Sequence, residues 1–362
     1  MAAVFDKMKQ DERASAALRE LYEGMGYRKF KMSKFEEYDL YLENKSFLQT
    51  EGIVTFTGKN GKLLALKPDI TLSILKNMRS GASLPRKLYY NENVYRSGHL
   101  GHDIREIMQV GLEYVGQVDL YAMGEVVSLA CRSLEAMNEN YILDISHMGL
   151  VTGLLEDLQL RSGARKDALD CIAGKNEHEL RRLLEREGAD ADKAQRLITL
   201  AGLGGDVQSV LNKAQALAVN DTSVSAVQEL KNLCYLMENT IGLDHLRLDF
   251  SIVNDMSYYN GLIFRGYIPG VPQGILSGGQ YDNLVQKLSK APGAIGFAVY
   301  LDLLECIAEP EPEFDVDFLI LCPGDEKALE AMQRADRLRD AGLSVRVQKE
   351  VGKIRAREII SL

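Results

Sequence analysis

The sequence predicts an α+β protein: a sheet flanked by helices, interrupted by a helical segment and followed by a small α/β piece. Three observations carry that reading. Residues 104–116, IREIMQVGLEYVG, alternate with period two, so that Met108, Val110, Leu112 and Tyr114 share one face of a strand and Arg105, Gln109, Gly111 and Glu113 the other. From about 149 to 240, Leu, Ala, Glu, Lys and Arg recur with helical spacing and strand signals fade. Strand character returns at LRLDFSIVND, 246–255, where Leu246, Leu248, Phe250 and Ile252 alternate inward.

The elements follow in order. Ala17, Leu18, Leu21 and Met25, after Ser15, have the spacing of an amphipathic helix that stops among Gly24 and Gly26. Residues 27–66 hold the short apolar stretches FLQTEG, IVTFTGKNG and KLLAL, and Asn60-Gly61 between two β-rich runs predicts a hairpin. After Pro68, ITLSILKNM returns to helical spacing, with Asp69 near its N-terminus, where a carboxylate suits the helix dipole. On the strand 104–116, Gln109 and Glu113 lie about 14 Å apart and flank a bare glycine, a floor that suits a small polar ligand as well as it suits a solvated strand face. Residues 119–138 form a long helix with Met123, Val126, Val127, Ala130, Leu134 and Met137 on its core stripe.

Beyond this helix the helical segment is broken at 202–206 by GLGGD. After the strand at 246 come SYYNGLIFRGY, a Pro/Gly loop, GILSGGQYDNLVQKL and GAIGFAVYLDLLECI. Ser277-Gly278-Gly279 is expected as a strand-to-helix turn whose free amides hold a carboxylate or phosphate, or which serves geometry alone. Pro310 and Pro312 mark a linker, and the last fifty residues read as strand (DFLILC), helix (EKALEAMQRADRLRDAG), strand (LSVRVQ) and a short basic tail. The expected domains are a core of 1–148 and 241–309, a helical insertion of 149–240, and an α/β module of 313–362.

Composition narrows the function classes. The chain of 362 residues has 46% hydrophobic and 26% charged residues, the proportions of a globular protein with room for about two domains. No run of eighteen uncharged apolar residues predicts a membrane span. The first residues, MAAVFDKMKQDERAS, are too charged for a secretory core and too acidic for an organellar transit peptide, which predicts a cytoplasmic protein. A net charge of −9 argues against electrostatic coating of nucleic acid. Cys131, Cys171, Cys234, Cys306 and Cys322 lack metal-ligand spacing and read as reduced, mostly buried thiols. Of the histidines only His99 and His102 are close in sequence, and no HExxH or HxH occurs, so neither metal nor cofactor is expected. His147 reads as a hydrogen-bonded structural histidine, and the run Lys353, Arg355 and Arg357 as solvated surface.

Taken in order, these segments resemble the class II aminoacyl-tRNA synthetase fold, and within it histidyl-tRNA synthetase and its paralogues. LALKPDIT is similar to that family's LRPEGT segment, YNENVYR to motif 2, and REIMQVGLEYVG to the strand that holds substrate histidine. IVNDMSYYNGLIF resembles the segment LVRGLDYYxxxxF, SGGQYDNL resembles AGGRYDGL, and GAIGFAVYLDLLE resembles motif 3. The resemblance covers about 15–145 and 245–307, with a fragment of the C-terminal module. It implies a histidine-binding set of Asp69, Thr71, Arg96, Gln109, Glu113, Tyr258, Tyr259 and Tyr281, with carboxylate and amide acceptors for the ligand's ammonium and imidazole and aromatic walls around the ring.

The departures from the family concern ATP. Arg96 of motif 2 persists, but the glutamate expected two residues later is Gly98, within Ser97-Gly98-His99. In motif 3 the family's glycine and arginine are Tyr300 and Leu303, and the synthetase's catalytic arginine is Asn254, beside Asp255. Adenylate formation needs cations on the triphosphate, so the resemblance implies retained histidine binding without catalysis. The C-terminal module is about half that of a synthetase, so tRNA is not expected as a partner. This pattern, with ISHMGLVTGLL at 145–155, most resembles the regulatory subunits of short-form ATP phosphoribosyltransferase. That resemblance implies a separate short catalytic subunit as partner, free histidine as inhibitory effector, and a homodimer within a hetero-octamer. A divergent histidyl-tRNA synthetase and a histidine- or tRNA-sensing paralogue are the alternatives.

Overall fold

Two long neighbouring strands set the architecture, because their alternation assigns one face to a core and the other to a cleft. The computed structural model describes residues 8–44, 48, 52–78, 85–97, 104–253, 258–289, 291–307 and 313–362. Gly98, His99, His102, Asn254, Asp255, Pro310, Pro312 and most of FLQTEG lie outside the described residues. The chain forms two compact units, Asp11–Ile307 and a smaller one that includes 313–362.

In the larger unit the strands are β1 (Arg28–Lys29), β2 (Phe35–Glu37), β3 (Thr55–Thr57), β4 (Leu63–Leu66), β5 (Arg86–Ser97), β6 (Ile104–Val115), β7 (Ile142–His147), β8 (Gly204–Gly205), β9 (Leu246–Asp249), β10 (Leu262–Tyr267), β11 (Leu276–Gln280) and β12 (Ala294–Tyr300). Nine of them form one sheet in the order β1-β5-β6-β12-β11-β10-β7-β9-β8. The five central strands from β5 to β10 pair antiparallel throughout. The expected hairpin is present: β3 and β4 pair with Thr57 opposite Leu63, and Gly61 turns the chain at φ +71°, a conformation that glycine adopts without steric cost.

On β6, Val110, Leu112 and Tyr114 are buried in the main apolar cluster, with Met108 partly buried against it. The same cluster takes Leu262 and Phe264 from β10 and Met123, Val126, Val127, Ala130 and Leu134 from the helix Leu120–Glu135, with Met137 packed beside them. That helix is capped by Asp119, whose carboxylate accepts from the Ala122 amide at 2.9 Å. The first helix begins earlier than its apolar spacing indicated, at Gln10, and buries Ala14, Leu18 and Tyr22. Full burial of each large side chain contributes about 1.5–3 kcal/mol before entropy is counted.

The helical segment consists of Met148–Asp157, Ser162–Ala173, Glu177–Arg186, Ala191–Ala201, Val207–Leu217 and Asp221–Glu238. Its apolar stripes, including Leu154, Leu183, Leu200, Leu211 and Leu230, join the same cluster as the sheet, so the helices and the strands share one core. GLGGD ends a helix at Gly202 and then makes β8, which pairs with β9. His147 holds the entry to Met148–Asp157: its Nδ1 accepts from the Gly149 amide at 3.0 Å and its Nε2 meets Glu229 Oε2 at 2.8 Å. It is the structural histidine expected.

Two expectations need correction. Ser277-Gly278-Gly279 is not a turn with free amides but the middle of β11, paired with β10 on one side and β12 on the other. Its glycines answer close packing, since a Cβ on Gly278 would collide with Gly296 O and the Phe297 side chain. The basic tail is likewise a strand. In the smaller unit β13 (Val316–Leu321), the helix Ala328–Asp340, β14 (Val345–Gln348) and β15 (Ala356–Ser361) form a parallel three-stranded sheet with β13 in the centre. Arg355 leads into β15 paired with Asp315 at 3.1 Å, and Lys353 and Arg357 are exposed.

Among the described residues, Cys131 and Cys234 are buried free thiols and Cys306 is exposed. No helix among them is long and apolar enough to cross a membrane, and no group of three or more His, Cys, Asp or Glu side chains is arranged to hold a metal ion.

Candidate functional site

The sheet face opposite the core is built in rows by the strand register. Glu113 on β6 lies opposite Gly296 on β12, which lies opposite Gly279 on β11. The next row on that face is Gly111, Ala298 and Ser277, ending at Arg265 on β10, and the row after it pairs Gln109 with Tyr300. Small residues at the centre leave a hollow, and larger neighbours fill part of it: the Tyr90 hydroxyl occupies the place of a Gly111 side chain, the Glu113 carboxylate that of Gly296, and the Tyr259 ring that of Gly279.

All eight residues expected from the sequence line this one cleft: Asp69, Thr71, Arg96, Gln109, Glu113, Tyr258, Tyr259 and Tyr281. Asp69 is the N-cap of the helix Ile70–Asn77 and accepts from the Leu72 amide at 2.8 Å, which directs Thr71 inward from the first turn. Thr71 Oγ1 donates to Glu113 Oε1 at 2.7 Å, and the Tyr281 hydroxyl donates to Glu113 Oε2. The rings of Tyr258 and Tyr259 meet edge to face with centroids 4.5 Å apart, and Tyr258 and Tyr281 lie 6.1 Å apart. Arg96 comes from β5, where its Nε points to the Pro68 carbonyl at 3.5 Å.

Burial governs the charges. Glu113 is 2% exposed, and desolvation pushes its carboxyl up to about 8, against the lowering effect of the Tyr281 and Thr71 hydrogen bonds. Burial also raises Asp69, offset by its cap hydrogen bond and by the charge of Arg96. The phenols of Tyr258, Tyr259 and Tyr281 are raised for the same reason and stay neutral. Two carboxylates, an amide and neutral phenols converging on a hollow can hold an ammonium and enclose a planar ring.

Several further residues line the cleft: Tyr90, Ser277, Gly296, Ala298 and Tyr300. Tyr90 has the same strand parity as Arg96 on β5, and that alternation is the signal that points to it. Ser277 and Ala298 become visible only through cross-strand register. Leu303, at the position expected to carry a phosphate-binding charge, packs against the apolar core.

A largely antiparallel sheet with helices on one face and this cleft on the other is the class II aminoacyl-tRNA synthetase-like fold, and a family model described as histidyl-tRNA synthetase matches residues 5–304. The chain is 30% identical to an ATP phosphoribosyltransferase regulatory subunit from Clostridium kluyveri, over 94% of this chain and 89% of that protein. The chain belongs to the ATP phosphoribosyltransferase regulatory subunit family, within the histidyl-tRNA synthetase-like proteins. Among solved structures, it is similar to an ATP phosphoribosyltransferase regulatory subunit/histidyl-tRNA synthetase from Bacillus halodurans, with a TM-score of 0.83, 25% identity and coverage of 97% of this chain and 93% of that one. The ATP phosphoribosyl transferase (HisG:HisZ) complex from Thermotoga maritima shares the fold, with a TM-score of 0.64 at 20% identity over 80% of this chain and 97% of that one.

Proposed function

We propose that this chain is a non-catalytic regulatory subunit that activates a separate short ATP phosphoribosyltransferase subunit and makes it sensitive to histidine. Free histidine occupies the cleft, with its ammonium on Glu113 and Gln109 near Thr71 and Asp69, and its imidazole among Tyr258, Tyr259 and Tyr281. The observation that carries this reading is the buried Glu113 carboxyl, held from both sides by Thr71 and Tyr281 and facing the hollow. A preorganised acceptor of this kind favours a cationic ligand, whose charge offsets the cost of ionising the group in a buried site. Tyr300 within the cleft and Leu303 packed against the core favour binding without adenylate chemistry, because they stand at the positions where the synthetase resemblance implies room for a nucleotide and a positive charge.

Regulation then follows from linkage. Histidine binds one conformation of the subunit better than another, and the difference reaches the catalytic partner through their interface. The active assembly is a hetero-octamer in which this chain is dimeric. The test is phosphoribosyl-ATP formation by a purified short catalytic subunit, with and without this chain, as histidine is titrated in. Activation reversed by histidine is the expected result; no effect at any ratio overturns the reading. ATP–pyrophosphate exchange with histidine tests the one alternative that the family model favours, a divergent synthetase.

A further inference from the structure

A zwitterionic amino acid brings a carboxylate as well as an ammonium, and the cleft's acids and phenols serve only the second. Two arginines reach this region. Arg96 stands beside Asp69, which offsets its charge, and its side chain turns to the Pro68 carbonyl. Arg265 lies on the same face of the sheet and is exposed; its side chain makes no hydrogen bond or ion pair among the described residues, although its charge is also felt by the carboxylate of Asp144. Its place in the fold is fixed by register. On β10 it lies opposite Ser277, which lies opposite Ala298, so it ends the row of small residues that floors the cleft.

The direction of its side chain is also set. The Arg265 stem crosses the space that a Gly274 side chain would occupy, with Cγ 2.6 Å and Cδ 2.7 Å from that Cβ position. Gly274 lies just before β11, so the stem leans along β10 toward the segment that enters β11. The Arg265 charge is felt by Tyr259, in the segment before β10, and by Tyr300 at the end of β12, both of which line the cleft. On its other side Arg265 faces Asp144 of β7, and Asp144 is also opposite Arg247 of β9, so that carboxylate lies between two arginines.

We propose that Arg265 is the specificity residue that pairs with the carboxylate of the bound amino acid, so that the cleft distinguishes an α-amino acid from the corresponding amine or alcohol. The assignment rests on the amino-acid reading of the cleft given above. A guanidinium at the end of the row that runs through Ser277 and Ala298, with the acids Glu113 and Asp69 lining the cleft itself, matches the separation of charge in a zwitterion, and its planar fork suits a carboxylate. The cost of holding Arg265 is small because it stays solvated until the ligand arrives.

The test is calorimetric titration of the full chain with L-histidine and with L-histidinol, which keeps the ring and the ammonium and replaces the carboxylate with an alcohol. The parent protein is expected to prefer histidine by about tenfold or more, the size of one charge-assisted pair. Arg265→Gln is expected to weaken histidine by about the same factor while leaving histidinol within about twofold, so that the preference collapses. Gly274→Ala, which keeps the charge but displaces the stem, is expected to lower the preference in the same direction. Arg247→Gln, an equal change of charge on β9 outside the cleft lining, is expected to retain it. Equal loss of both ligands in Arg265→Gln, unchanged binding of both, or the same collapse of the preference in Arg247→Gln overturns the assignment. If the parent protein binds neither ligand, the amino-acid reading of the cleft fails and the assignment with it, a result distinct from binding without a carboxylate preference.

Discussion

Thr71 and Glu113 lie forty-two residues apart in sequence and meet through a 2.7 Å hydrogen bond. The bond joins the first turn of the helix Ile70–Asn77 to β6 and fixes one oxygen of the buried Glu113 carboxyl in the cleft, while Tyr281 fixes the other. Helix, strand and the start of the helix Asp282–Leu288 are thus tied together by one carboxyl group, whose titration is felt by both stability and binding.

The sign of the stability effect follows from the folded-state value of about 8 for Glu113, above the roughly 4.3 of an unfolded glutamate. Between these values the folded chain retains a proton that the unfolded chain has released. The stabilising contribution is complete below about pH 4 and is lost as pH rises toward 8. Glu113→Gln removes that dependence, so the melting temperature of the parent is expected to fall relative to the variant between about pH 5 and pH 8. Parallel melting curves across this range would sink the assignment of the shift to burial.

Ligand binding runs the other way. An ammonium favours ionised Glu113, so binding expels a proton and apparent histidine affinity rises from about pH 6.5 to pH 8. Calorimetry in two buffers of different ionisation enthalpy measures the released proton directly. The Glu113→Gln variant should release none and bind on the order of tenfold to a hundredfold more weakly, as expected for loss of a charged hydrogen bond.

Gly296 is required by contact rather than by backbone conformation. A methyl group there would collide with the Glu113 carboxylate and the Leu112 carbonyl. Gly296→Ala is expected to destabilise the chain by about 1–3 kcal/mol in urea denaturation and to impair histidine binding with it. A variant as stable as the parent would show that the sheet adjusts at this point.

Lys67 is fully buried and pairs at 3.1 Å with Glu92, which is 18% exposed. Burial pulls the Lys67 ammonium below its usual range against the raising effect of Glu92. Lys67→Met alone leaves Glu92 without its partner and is expected to cost on the order of 3 kcal/mol. The double change Lys67→Met with Glu92→Leu is expected to recover much of that loss. Additive losses in the denaturation series would mean that the two side chains act independently.

His147→Ala removes a helix cap and the contact to Glu229, and neither residue lines the cleft. A loss of about 1–2 kcal/mol in stability with unchanged histidine affinity is expected. Any specific loss of affinity would place His147 in the communication between cleft and helices.

The cleft was legible where one strand or one helix turn carries the signal. Gln109 and Glu113 declare themselves by parity, and Asp69 by its position before an apolar helical run. Ser277, Ala298 and Arg265 do not, because their role depends on which strands become neighbours, and register across a sheet is non-local information. The same limit explains β15: AREIIS carries charge at Arg357 and Glu358, and becomes a strand by pairing with β13, not by its own pattern. Ser277-Gly278-Gly279 misled in the opposite sense. Glycines there suggest a turn, whereas the cause is close approach of Gly296 and Phe297 from the adjacent strand.

The placement of β12 beside β6 has a consequence for the newly made chain. Glu113 sits against Gly296, yet the whole helical segment is synthesised between them. A ribosome therefore delivers β5 and β6 as a hairpin with one edge open, and that edge must wait through the eight α-helices described between β6 and β12 for its neighbour. During this interval Glu113 is an ordinary solvated acid, and the exposed β6 edge is a surface on which a second unfinished chain can pair. The cleft is a late product of vectorial synthesis, and nascent chains that stall before residue 294 lack its floor.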